Sequence, residues 1–125
     1  MRLKRSRMRD FYHRARIAGK DKEGGVYEEY APAIPFKGEA WPAGGKVQAE
    51  QYGERLAYIY NVRLEGRYEA VSTEDGKVRY EFPGTELAVM EGDGICLFAR
   101  EDQKPDYRVA AIRPHRFLRL EVERI

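Results

Sequence analysis

Residues 55–64 read RLAYIYNVRL, directly after AGGKVQAEQYGE at 43–54. The later stretch alternates with a period of two. Leu56, Tyr58, Tyr60, Val62 and Leu64 share one face, and Arg55, Ala57, Ile59, Asn61 and Arg63 share the other. That pattern predicts a strand with one face on a core. The earlier stretch does not alternate. Its paired glycines lead into small, polar, helix-tolerant residues, and the helix they allow, within 45–53, is too short to be stable without packing. The pair predicts a sheet protein that leaves its sheet once and returns.

Outward from this point, short strands and turn signals follow one another. On the N-terminal side, Phe11–Ala18 alternates, with Phe11, His13, Ala15 and Ile17 on one side. KDKEGG at 20–25 reads as a turn, and Val26–Ala33 as a second strand. Pro32 and Pro35 cannot donate to a ladder, so this strand should lie at an edge or bend before resuming at Phe36–Trp41. On the C-terminal side, YEAVSTEDGKVRYEF at 68–82 reads as an extended hairpin turning at Asp75-Gly76. Glu86–Met90 fits a helical turn or a strand. Ile95–Ala99, Tyr107–Arg113 and Phe117–Arg124 are three more strands, the last with Leu118, Leu120 and Val122 inward. About eight short strands at this spacing argue for a mainly β chain, a small barrel or a sandwich.

The chain has 125 residues, 42% hydrophobic and 35% charged, with nine tyrosines and five phenylalanines. These numbers predict one globular domain rather than disorder. No run approaches the ~18 apolar residues of a membrane span. The basic start, MRLKRSRMRDFYHRARIAG, lacks the apolar core of a secretory signal. The single cysteine, Cys96, allows no internal disulfide and reads as a buried small hydrophobe. Charge is uneven although its net is only +2. Residues 1–20 hold eight Lys/Arg against one acid, 21–103 nine against seventeen, and 104–125 six against three. Basic ends and an acidic middle speak about partners rather than fold. Residues 1–9 read as a basic, flexible tail whose Arg2, Lys4, Arg5, Arg7 and Arg9 are candidates for partner binding.

Chemistry-bearing motifs are absent. The GGK at 44–46 lacks the glycine a phosphate loop needs at position 40, which is Ala40, and Val47 stands where Ser or Thr is required. His13 and His115 are far apart with no cysteine pair near them, and the GDG at 92–94 lacks the spaced carboxylates of a calcium loop. Ser6, Ser72 and Cys96 sit in no catalytic context. The residues therefore predict no enzyme, no cofactor and no metal. A small-barrel nucleic-acid-binding module is the alternative reading. Against it, the tyrosines fall mostly at inward positions or beside acids, as in YEEY at 27–30, and the acidic middle opposes a broad basic groove.

The order of features resembles the head-completion (head–tail joining, or stopper) proteins of tailed bacteriophages and prophages. The match runs through DFYHRARI, EGGVYEEY, GEAWPAG, GKVQAEQYGE, LAYIYNVRL, GDGICLF, PDYRVAAI and FLRLEVERI, and covers most of the chain. Residues 67–91 are longer than the family commonly allows, which is compatible with a related neck or tail-completion component. The resemblance implies a small β-barrel, SH3-like or related, with at most a short helix at 43–54. It implies a structural subunit of the virion neck, assembled in the host bacterial cytoplasm. Its partners would be copies of itself in a ring, the portal and adaptor proteins, tail or tail-completion proteins, and packaged double-stranded DNA, with no membrane. It also implies that the segment from Ala43 through Gly44, Gly45, Lys46, Val47, Gln48, Ala49, Glu50, Gln51, Tyr52 and Gly53 to Glu54 projects toward the channel as a stopper loop, or else is a plain surface loop. Gly44 and Gly45 are placed to act as its hinge.

Overall fold

The computed structural model describes residues 7–20 and 26–125. Of the turn expected at 20–25, Lys20 ends a strand and residues 21–25 lie outside the described residues, as do the tail residues Arg2, Lys4 and Arg5. The chain is mainly β. Six antiparallel strands close into a barrel in the order β1 (Arg9–Arg14), β4 (Ile34–Pro42), β5 (Ile59–Leu64), β11 (Leu118–Arg124), β10 (Tyr107–Pro114) and β9 (Gly94–Cys96), with β9 returning to β1. A two-stranded extension, β2 (Arg16–Lys20) with β3 (Val26–Tyr30), leaves one end. A three-stranded sheet of β6 (Glu69–Ser72), β7 (Val78–Glu81) and β8 (Ala88–Val89) lies beside the barrel.

The period-two strands bury what their spacing predicts. Val62, Leu64, Leu118, Leu120 and Val122 are fully buried in one cluster with Phe11, Phe36, Ile95 and Val109. Phe82, Leu87 and Val89 from the second sheet join that cluster, and Tyr68 and Tyr80 pack against it. The 68–82 hairpin is thus partly committed to its own barrel. Its turn is as expected, with Gly76 at φ 81. Glu86–Met90 resolves as strand, because Ala88 and Val89 pair with Glu81 and Tyr80.

Closure depends on β4. Its first half pairs with β1 and its second half with β5, and Gly38 is the residue common to both ladders. A Cβ at Gly38 would stand 2.3 Å from the carbonyl oxygen of Arg63, so only glycine lets the two strands approach here. Pro35 lies in the first half of β4 opposite Tyr12, where the other side of the strand has no partner among the described residues. The β5 ladder begins only at Gly38, so the missing Pro35 N–H interrupts no pairing with β5.

Strand β5 starts later than alternation predicts. An α-helix, α1, spans Gly45–Tyr52, and a 3-10 segment carries Gly53–Tyr58. Neighbouring strands explain the boundary. Pro42 ends β4 opposite Tyr60, and the ladder with β11 stops at Ile59, so residues before 59 have no strand to pair with. Leu56 and Tyr58 therefore leave the expected face, and Tyr58 is exposed. Ile59 and Asn61, expected outside, are buried. Something covers the outer wall of the barrel at that point, and it is α1.

Candidate functional site

The candidate segment, 43–54, is a docked helix rather than a loose excursion. Gly44 precedes it in extended conformation, Gly45 has φ 85, and Gly53 ends it at φ 57. No side chain caps its start, no acid lies in its first turn and no base in its last. Helix α1 has little stability of its own. Gln48 and Tyr52, four residues apart and so on one face, are its buried residues.

What they meet is a carboxylate. Glu121 is in the middle of β11 with its side chain directed outward, yet it is only 1% exposed because α1 lies over it. The Tyr52 hydroxyl donates to Glu121 Oε1 at 2.5 Å. Gln48 Nε2 and Gln51 Nε2 lie 3.3 Å from its two oxygens. From the barrel side, Arg113 Nε and Arg119 Nη2 approach Oε2 at 3.3 and 3.2 Å. Burial alone would push this carboxyl up. The Tyr52 and Arg113 hydrogen bonds and the charges of Arg113 and Arg119 outweigh it and hold the group below its ordinary range. The same burial, with the hydrogen bond and charge of Glu121, pushes the Tyr52 phenol well above its ordinary value. Both shifts favour Tyr52 as the donor and Glu121 as the acceptor near neutral pH.

Gln48 completes the joint. Its Nε2 donates to Asn61 Oδ1 at 2.7 Å, and Asn61 Nδ2 returns a bond to Gln48 Oε1 at 3.2 Å. The same Oε1 accepts the Gly44 N–H at 3.0 Å, which ties the residue before the helix to its first turn without capping the helix's own N–H groups. Arg119 Nη1 also donates to Asn61 Oδ1, at 2.7 Å. Asn61 and Glu121 are directly opposite on β5 and β11, which brings both polar groups under one helix. Outside the joint, Arg55 grips Glu123 with two bonds of 2.8 and 2.5 Å.

The outer side of α1 is left open. Lys46, Val47, Ala49, Glu50 and Glu54 are exposed, Val47 by 76%. Of the residues expected in a basic tail at 1–9, Arg9 instead opens β1 opposite Gly38, because the ladder with β4 reaches that far; Arg7 and Arg9 are exposed and line a cleft with Trp41 and Arg63. Sequence reasoning missed Asn61, Arg113, Arg119 and Glu121. The available signal was the Gln48/Tyr52 pair, the one polar–aromatic couple at helical spacing in a segment otherwise lacking apolar anchors.

A second buried polar pair lies at the opposite wall. His13 Nε2 is 2.7 Å from Asp93 Oδ2, with both residues buried. The Asp93 carboxylate also accepts the N–H groups of Met90 and Arg16 at 2.9 and 3.1 Å, which fixes the turn before β9. Cys96 is buried in β9, and that burial pushes its thiol up. Among the described residues, no three or more His, Cys, Asp or Glu side chains gather as a metal site. No helix of the described chain is long and apolar enough to cross a membrane. Compared with family models, curated proteins and solved structures, the chain matches none.

Proposed function

We propose that this chain is a structural subunit of the neck of a tailed bacteriophage or prophage. Copies of it join head to tail as a ring beneath the portal and adaptor, and help to close the DNA channel after packaging. The order of sequence features from DFYHRARI to FLRLEVERI motivates the reading. The observation that carries it is the division of labour on α1. Gln48 and Tyr52 hold the helix to the barrel, and the side chains of Lys46, Val47, Ala49 and Glu50 are exposed to solvent. A ring presents such a face once per subunit, so weak contacts add up. Ring formation needs two complementary faces on each subunit. The exposed turn of the 68–82 hairpin and the strongly exposed Phe98 are further surfaces for that purpose.

The docked state of α1 decides how to test this. Deleting 44–52 would uncover Glu121 and Asn61 and damage the fold itself. Substituting Lys46→Ser and Val47→Ser, with Gln48 and Tyr52 retained, changes only the outer face. In a phage carrying this gene, the variant protein is expected to fold and to accumulate, but to yield particles that lose DNA or lack tails. Normal yields of DNA-retaining, tailed particles would remove α1 from the proposed role.

A further inference from the structure

We propose that the outward wall formed by β10, β11, β5 and β4 binds the phosphate backbone of double-stranded DNA. This inference concerns one subunit's surface and does not depend on the neck reading. It rests on strand register. Arg113 is directly opposite Arg119, Arg119 is opposite Arg63, and Arg63 is opposite Glu39. Three guanidinium side chains therefore start from one row across three adjacent strands, each roughly 4.8 Å from the next. Like charges directly opposite one another destabilise a sheet. The fold offsets this in part. Glu121 takes Arg113 and Arg119, Glu39 takes Arg63 at 3.0 Å, and Arg63 also lies over the Trp41 ring at 5.0 Å. Glu121 is buried, so it holds the guanidinium groups of Arg113 and Arg119 from below, through Arg113 Nε and Arg119 Nη2, without presenting negative charge to solvent. The side chains of Arg113, Arg119 and Arg63 remain 41%, 23% and 39% exposed.

More arginines border the row. Arg116, in the β10–β11 turn, shares one cleft with Arg63 and Arg119 and a second with Arg67 and Phe117. Arg7 and Arg9 share a third cleft with Arg63 and Trp41. Arg63 and Arg116 thus join the three clefts into one surface. Arg7, Arg9, Arg67 and Arg116 are exposed, against Glu39 and Glu65 as the acids that line the same clefts. Every Lys/Arg side chain lining these clefts is an arginine, whose planar fork suits two oxygens of one phosphate.

The regularity of the row selects the ligand. A series of like cations on a smooth wall, without a closed pocket, matches a polymer with an evenly repeated anion better than one particular carboxylate. Duplex DNA offers one phosphate per about 1.7 Å of axis. Single strands are bound largely by stacking on free aromatic faces, whereas Trp41 already carries Arg63.

The test is fluorescence anisotropy of the purified chain with a labelled 20-base-pair duplex, titrated from low to physiological salt. Engagement of about four phosphates predicts a log–log salt slope near −3.6. The double variant R67S/R116S removes two exposed side chains outside the Glu121 joint. It should lose about tenfold in affinity at 100 mM salt, with the slope reduced by about two. The control K77S/K104S, of equal charge change away from these clefts, should bind within about twofold of the parent. Any of four results would overturn the proposal. These are no binding at low salt, equal losses in the two variants, tighter binding of the matching single strand, or polyglutamate competing as well as unlabelled duplex at equal charge. The last would assign the face to an acidic protein.

Discussion

Tyr52 on α1 and Glu121 on β11 are joined by a 2.5 Å hydrogen bond under the helix, and that contact holds the segment most suggestive of function in a defined place. The bond couples a donor that burial keeps protonated to a carboxylate that arginines keep ionised. The helix docks through polarity because its sequence offers few apolar anchors.

Replacing Tyr52 with Phe removes one hydrogen bond to a charged group while keeping the ring. The expected cost is about 1.5–3 kcal/mol. Glu121→Ala should cost more, about 3 kcal/mol, since it leaves Tyr52 and two arginines facing each other without their shared acceptor. In urea unfolding, the double variant should lose clearly less than the sum of the two singles. Additive losses would show that the two groups are not coupled.

Acid should weaken this joint. The folded Glu121 carboxyl titrates below its ordinary value of 4.5. Its contribution is therefore complete above about 4.5 and disappears as pH falls through the lower folded value. Melting temperature should drop on the way from pH 6 to pH 3. Glu121→Gln should be less stable than the parent at pH 6, and its melting curve should be flatter over that range. Parallel curves for the two proteins would place the acid sensitivity elsewhere.

Asp93 is expected to be as important as any core apolar residue. Asp93→Ala leaves the N–H groups of Met90 and Arg16, and buried His13, without their acceptor. Each such loss costs about 1–3 kcal/mol. The variant should unfold at markedly lower urea, and an unchanged midpoint would contradict the role given to the turn before β9.

Gly38→Ala places a methyl group against backbone, which cannot move aside without opening the β4–β5 ladder. The cost should reach about 3 kcal/mol, the upper end for overpacking. Full stability of this variant, measured by thermal unfolding, would show that the barrel closes differently.

Cys96 should react slowly with a thiol reagent in the native protein and rapidly in denaturant, because burial excludes the reagent and disfavours the thiolate. Equal rates in the two conditions would contradict the buried position of β9.

Much of the barrel was legible in the sequence. A period of two reports which residues of one strand face a core, and Leu118, Leu120, Val122, Val62 and Leu64 all follow it. Asp75-Gly76 announced its turn because that geometry needs positive φ. Alternation says nothing about what covers the other face, so Asn61 and Glu121 read as outward and were found buried beneath α1, and Ile59 on that same face is buried too. Nor does alternation report where partner strands end, and so β5 was expected from Arg55 rather than from Ile59. The segmental charges were misleading for a related reason. Arg63 and Arg67 belong to the acidic middle of the chain, yet folding sets them beside Arg113, Arg116 and Arg119 from the basic end. Register between distant strands makes that grouping, and no local pattern carries register.

The central claim, a neck subunit that completes filled heads, is tested most directly by electron microscopy of particles from a phage lacking only this gene. The account predicts packaged heads without attached tails, many of them emptied of DNA, with tailed particles restored when the intact chain is supplied in trans. Tailed, DNA-filled particles in normal number without the chain would contradict it.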